Sequence, residues 1–274
     1  MHYSKTIAVS TLSVLFVAGA VFVSGFLRAP VAHADTGVAR AAAATVTVVD
    51  ECGITQADVA QIAAIQDDQA LAYADEIKQE LVLRKLLVRE TIDCAQQEVQ
   101  ALQTSLASTS APGSAQQLQS QLAGDLNEAT GFYNNELAQL DVVGIAGTKE
   151  IAREVLMWRA GTFLPLSENV NNFILWAQNQ DLFSTAQTRM TQTQRAVSFI
   201  EGATPNPALQ SALASAQSSF NDAQTENAAV EQALAQDLSP DQTLGLIKQS
   251  LSSLSDTYKG FSNVSTIVSG ILPQ

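Results

Sequence analysis

LQSALASAQSSFNDAQTENAAVEQAL, residues 209–234, is the stretch that decides the fold. Its inward candidates are Leu209, Leu213, Ala216, Phe220, Ala223, Asn227, Val230 and Leu234, in alternating steps of four and three. That spacing keeps side chains on one stripe of an α-helix, and a sustained 3.5-residue period calls for side-by-side helix packing. One polar residue, Asn227, breaks the seam; such a residue fixes register or partner choice, or holds a polar ligand.

The pattern extends in both directions. Downstream, Ser239-Pro240-Asp241-Gln242 offers an N-cap, a proline at the first helical position and a glutamine at the third. A stripe of Leu244, Ile247, Leu251, Leu254, Tyr258, Phe261, Ser265 and Val268 follows. It also contains a formal glycosylation sequon, Asn263-Val264-Ser265. Upstream, GATPNP (202–207) reads as stop, turn and restart: Gly202 ends one helix, Asn206 caps the next and Pro207 fits its first turn. The preceding helix carries Val170, Phe173, Ala177, Met190, Val197 and Ile200, with Ser167 as the cap of a restart after Pro165 kinks or breaks the helix. Before that, Thr148 is expected to cap a helix bearing Ile151, Val155 and Trp158. A further helix spans about 114–142, with Leu118, Leu122, Ala129, Tyr133 and Leu140 inward. Thr55-Gln-Ala-Asp opens the first helical run, whose main stripe is Ile77, Leu81, Val88, Ile92, Ala95, Val99, Leu102 and Leu106.

The fold class expected is all-α: an elongated, antiparallel up-and-down bundle of about five helices with coiled-coil-like packing. Short turns between long helices make antiparallel neighbours. The chain divides into 1–34, a signal peptide or N-terminal membrane anchor; 35–50, a flexible spacer; and 51–274, a single helical-bundle domain.

The leader rests on Lys5, the uncharged run 7–27, Pro30, and Ala32-His33-Ala34 before Asp35, which has the shape of a signal peptidase site between Ala34 and Asp35. The run is also long enough to span a bilayer, which takes ~20 residues. Either way the body is exported: extracellular, periplasmic, or anchored to the outer face of the cytoplasmic membrane. Membrane contact is expected only through residues 7–27, if uncleaved.

Charge and residue usage exclude several chemistries. The chain carries a net charge of −13 with 15% charged residues, so nucleic acid and anionic surfaces repel it, and no run of Lys or Arg offers an exception. Its two histidines, His2 and His33, both lie in the leader. The body therefore lacks a Ser-His-Asp or Cys-His system and a His-ligated metal. No catalytic residue, cofactor site or metal site is assigned, and the protein is expected not to be an enzyme. Glu76 and Glu80, four apart, read as a solvated face. LDVVGIAG (140–147) reads as a buried turn, or as a tip that inserts in a membrane.

The two cysteines, Cys52 and Cys94, have three fates: an intrachain disulfide, an interchain one, or reduced thiols. One straight helix over 55–94 would hold its ends ~58 Å apart, against ~7 Å for a disulfide. An intrachain bond therefore requires the chain to fold back near Asp67-Asp68 or Tyr73, with Val59, Ile62 and Ile65 covering the face of Leu83, Leu87 and Cys94. Trp158, Phe163, Phe173 and Trp176 form an aromatic-rich region that is core, or a ligand or partner patch. The function expected is non-enzymatic: a structural, scaffolding or partner-binding protein of the cell envelope or beyond, its partner another envelope or extracellular protein. The alternatives are a membrane-acting, pore-forming-like helical protein and a small-ligand sensor or carrier.

Overall fold

The computed structural model describes residues 56–68, 71–203, 205–236 and 238–271. All of the regular structure among them is helical. The α-helices are α1 (Gln56–Gln66), α2 (Tyr73–Ser108), α3 (Gln116–Leu140), α4 (Ile145–Trp158), α5 (Leu164–Ala203), α6 (Pro207–Ala235) and α7 (Pro240–Ile271). A short 3-10 turn precedes α3, and a five-residue π turn, Arg159–Phe163, joins α4 to α5 without a break. The described chain thus has seven α-helices in six helical rods, where about five helices are expected.

Pro165 explains the π turn. A proline has no N–H to offer the carbonyl four residues back, here Gly161, and its ring crowds that carbonyl. A wide turn just before it, closed by Leu164 N–H to the Arg159 carbonyl, lets the rod continue. Of the kink or break expected at Pro165, the break is therefore absent. Ser167 caps nothing: it is buried, and its hydroxyl donates to the Leu164 carbonyl at 2.7 Å. Thr148 is not an N-cap either. Gly144 occupies that position, and the Thr148 hydroxyl donates back to the Gly144 carbonyl at 3.0 Å. The helix starts earlier than the threonine suggests because a mid-helix threonine satisfies its own hydroxyl in this way. At the start of α6 the cap is as expected: Asn206 Oδ1 accepts from the Ala208 and Leu209 amides at 3.0 and 3.1 Å.

The chain divides into two compact units, with the division inside α5 at Ile174/Leu175. The sequence alone suggests one domain over 51–274. In the N-terminal unit, α2 packs against α1, α3 and α4. Arg89–Asp141, Gln96–Asn134 and Gln103–Asn127 bonds run down α2 and up α3, so the two are antiparallel. The α2 stripe from Val88 to Leu106 is buried as expected, and Leu122, Leu126, Ala129, Tyr133 and Leu140 meet it from α3. Ile77, at the start of that stripe, is exposed instead.

In the C-terminal unit, Phe183, Ala186 and Met190 of α5, Ala216, Phe220 and Ala223 of α6, and Leu254 of α7 make one core cluster. Val197, Leu209, Ala212 and Val264 make a second. Along α7 the fully buried positions are Thr243, Ile247, Ser250, Leu254, Thr257 and Val264. The larger Leu244, Leu251, Tyr258 and Phe261 lie half-buried beside that line. Small side chains take the centre because α6 comes very close. A Cβ built on Gly260 would stand 2.6 Å from Ala216 Cβ and 2.9 Å from its Cα. The buried hydroxyls of Ser250 and Thr257 bond carbonyls of their own helix.

Candidate functional site

Two places concentrate chemistry, both in the N-terminal unit. The first is buried. Arg159 opens the π turn at 2% side-chain exposure and forks onto Glu98 of α2, Nη1 to Oε2 at 2.5 Å and Nη2 to Oε1 at 3.0 Å. A paired guanidinium–carboxylate fork is the strong form of this bond. Phe163 lies 5.3 Å from the guanidinium carbon, ring centre to Cζ. Tyr133 of α3 meets Phe163 and Trp158 edge-on, and Phe132 stacks on Trp158 at 4.1 Å. Burial pushes the Tyr133 phenol up to about 12, although the Arg159 charge pulls the other way. Burial also weakens the Arg159 cation, but its bond to Glu98 outweighs that and holds its pKa above the ordinary arginine value. Arg159 therefore remains a cation and Tyr133 a neutral phenol across the physiological range.

The aromatic residues expected as core or patch are mostly core. Phe163, Phe173 and Trp176 are buried, Trp158 is half-buried, and Trp176 belongs to the other unit. The Glu98–Arg159 pair is absent from the expected stripes because each residue, taken alone, resembles a surface charge. A signal was available: Arg159 is four residues after Val155, on the stripe itself, and Glu98 lies between Ala95 and Leu102 on its edge.

The second place is a shallow groove of about 600 Å³ where α1 returns along α2. Ala64 and Ile65 line it from α1, Val82, Leu83 and Leu86 from α2, with Lys78 at the rim. The fold-back that an intrachain disulfide would need is therefore present, with its turn between Gln66 and Tyr73. Ile62 is buried and Ile65 half-buried as expected, but Val59 is exposed. Cys94 sits half-buried on α2 and is not a free thiol; Cys52 lies outside the described residues.

Glu80, expected on a solvated face, is buried. Burial raises its pKa, but the bond from Arg84 Nε at 2.6 Å, a bond to Gln66, and the charges of Arg84 and Lys149 more than offset that and hold it below the ordinary value. Glu136 of α3 goes the other way: burial first, then the nearby charge of Glu154, raises its pKa.

The stretch 140–147, expected to be a buried turn or a membrane tip, is buried at Leu140 but opens to solvent beyond it: Val142 is 85% exposed, and Val143 and Ile145 are half-buried. Four residues, 141–144, connect α3 and α4, and α2 holds their first carbonyl: Lys85 Nζ donates to the Asp141 carbonyl at 2.9 Å. Among the described residues no group of His, Cys, Asp and Glu is arranged to hold a metal ion, and no helix is long and apolar enough to cross a membrane. Residues 1–50, where the leader with its Ala34/Asp35 cleavage site and the spacer are expected, lie outside the described residues.

Fold and site together define an all-α protein with a charged, aromatic interior in one unit and a small-residue seam in the other. No protein-family model matches the chain, and neither a curated protein nor a solved structure matches it.

Proposed function

We propose that this is an exported, non-enzymatic helical protein that acts through its surface, as a structural, scaffolding or partner-binding element of the cell envelope or extracellular space. The observation that carries this reading is the use made of the buried polar groups. Glu98 and Arg159 bind each other, Gln180 and Asn227 exchange two amide bonds at 3.2 and 3.1 Å, and Glu80 is held by Arg84. The Glu98–Arg159 and Gln180–Asn227 pairs each join two elements, while sizeable apolar side chains such as Val82, Val142 and Phe199 face outward. In this reading the helices pack up and down within each unit in a coiled-coil-like manner. Export depends on residues 1–34, cleaved after Ala34 or retained as an anchor.

The Cys52–Cys94 disulfide belongs to the same proposal. The bond between Gln66 and Glu80, together with the groove that Gln61, Ala64 and Ile65 share with Val82, Leu83 and Leu86, supports an antiparallel α1 and α2. Counting back from Gln66 at ~1.5 Å per residue carries the start of α1 to the level of about residue 90 on α2, and Cys52 stands four residues further on. Such a staple would contribute roughly 2–4 kcal/mol.

In-cell crosslinking with fractionation tests the proposal. The expected result is recovery outside the cytoplasm in an adduct with a second polypeptide. Recovery from the cytosol without any adduct contradicts it.

A second reading, a membrane-acting protein, draws on the exposed Val142 turn. Dye release from liposomes, abolished by Val142→Asp, is its expected signature. The absence of leakage across lipid compositions and pH removes it. The small-ligand carrier loses support, since Phe163, Phe173 and Trp176 fill the core and the groove lies elsewhere.

A further inference from the structure

The sulfur atoms of the chain meet very different surroundings. There are two cysteines and three methionines, and Cys52 and Met1 lie outside the described residues. Cys94 is not a free thiol, so the group that oxidants attack most readily is already occupied there. Met190 sits in the core cluster of the C-terminal unit at 2% exposure. Met157, near the end of α4, is 62% exposed. A thioether carries no proton that could block its lone pairs, so access decides which methionine reacts.

One guanidinium organises the surroundings of Met157. Arg153 lies one turn earlier on the same face of α4, and it is exposed. It forks onto Glu150: Nε donates to Oε2 at 3.2 Å, and Nη2 donates to Oε1. That fork uses one edge of the planar group and fixes its direction. The other terminal nitrogen, Nη1, is left facing along the helix, 3.7 Å from Met157 Sδ. A thioether sulfur is a weak acceptor. An oxygen added to it is polar and a far better one, and a donor already held in place stands beside it.

We propose that Met157 is an oxidation site, which takes one oxygen atom from a peroxide and holds it as a sulfoxide hydrogen-bonded to Arg153. The sulfur lone pair attacks one oxygen of hydrogen peroxide. The S–O bond forms as the O–O bond breaks, hydroxide leaves and takes the remaining proton, and the products are sulfoxide and water. Sulfur is oxidised by two electrons and the peroxide is reduced by two. A sulfoxide disrupts a fold where it forces a polar group into a core. On the outer face of α4 it displaces no packing, and Arg153 answers its oxygen. The fold therefore tolerates the modification, which turns an exposed apolar side chain polar.

The inference is independent of the partner-binding reading and needs only an encounter with peroxide. Its test treats the full chain with hydrogen peroxide beside Met157→Leu, Arg153→Ala and Arg153→Lys. Both positions are exposed, so the variants should fold as the parent does, checked by helical circular dichroism. Peptide mass spectrometry follows oxygen uptake, and thermal melts follow the fold. The expected result is that the Met157 peptide gains one oxygen at least about tenfold faster than the Met190 peptide. Oxidation should leave the parent's Tm unchanged or higher, lower that of Arg153→Ala, and act on Arg153→Lys in between. The Tm of Met157→Leu should not respond, which assigns the effect to this sulfur. Equal oxidation of Met157 and Met190 overturns the site. The same Tm change in the parent and in Arg153→Ala overturns the role of Arg153, and with it the proposal as stated.

Discussion

The two units join helices by opposite means. In the N-terminal unit, side chains are large and some are charged: Arg159 spans the gap to Glu98, ringed by Tyr133, Trp158 and Phe163. In the C-terminal unit, α6 and α7 meet where side chains are smallest, Ala216 against Gly260. The difference teaches where each unit is vulnerable. A buried ion pair tolerates joint replacement but not the loss of one member, because the survivor is a stranded charge. A close backbone approach tolerates no added atom, because cores are packed to the density of organic crystals.

The largest effect expected follows from the first half of that contrast. Glu98→Ala leaves Arg159 charged and buried, and should cost about 3–5 kcal/mol in urea unfolding. Glu98→Leu with Arg159→Met should recover most of that loss. If the single and double variants are equally destabilised, the charge is not what matters there.

The second half is tested by one substitution at two sites. Gly260→Ala puts a methyl on Ala216 and should destabilise by about 1–3 kcal/mol. Gly131→Ala, on α3, meets nothing within 4 Å and should instead stabilise by about 0.5–1 kcal/mol, the ordinary helix gain. Thermal melts of both variants with the same sign break the comparison.

A smaller effect is expected at the α5–α6 turn, where Asn206→Ala removes a cap bonded to two amides and should cost about 1 kcal/mol.

The smallest concerns Glu136. Its pKa is raised by burial and by Glu154, so the folded state holds its proton more tightly than the unfolded chain does. Its contribution to stability is full below the ordinary glutamate pKa and is lost as pH rises through the folded value. Glu136→Gln should therefore match the parent in acid and exceed it at neutral pH. Unfolding at both pH values checks this; a variant weaker than the parent at neutral pH contradicts the assignment.

Much of the helical pattern was legible in the sequence, and the exceptions share causes. Periodicity places Val88 through Leu106 and Leu209 through Leu234, because an apolar stripe needs only spacing to be read. It misplaces the centre of α7, where Thr243, Ser250 and Thr257 are buried in preference to bulkier neighbours; hydropathy ranks them low, but their size lets α6 approach. It misses Glu98 and Arg159 because their meaning lies in each other, 61 residues apart. Pro165 misleads because a π turn absorbs it. The α1/α2 groove was half visible, as a face of Leu83 and Leu87 requiring a cover.

The central claim is that the body is exported, stapled and works through its surface. The most direct measurement is the intact mass of the native protein from fractionated cells, before and after reduction. The account predicts a species outside the cytoplasm, starting at Asp35 or still carrying its anchor, and lighter by two hydrogens before reduction. A cytosolic species with an intact leader and no mass change on reduction would contradict it.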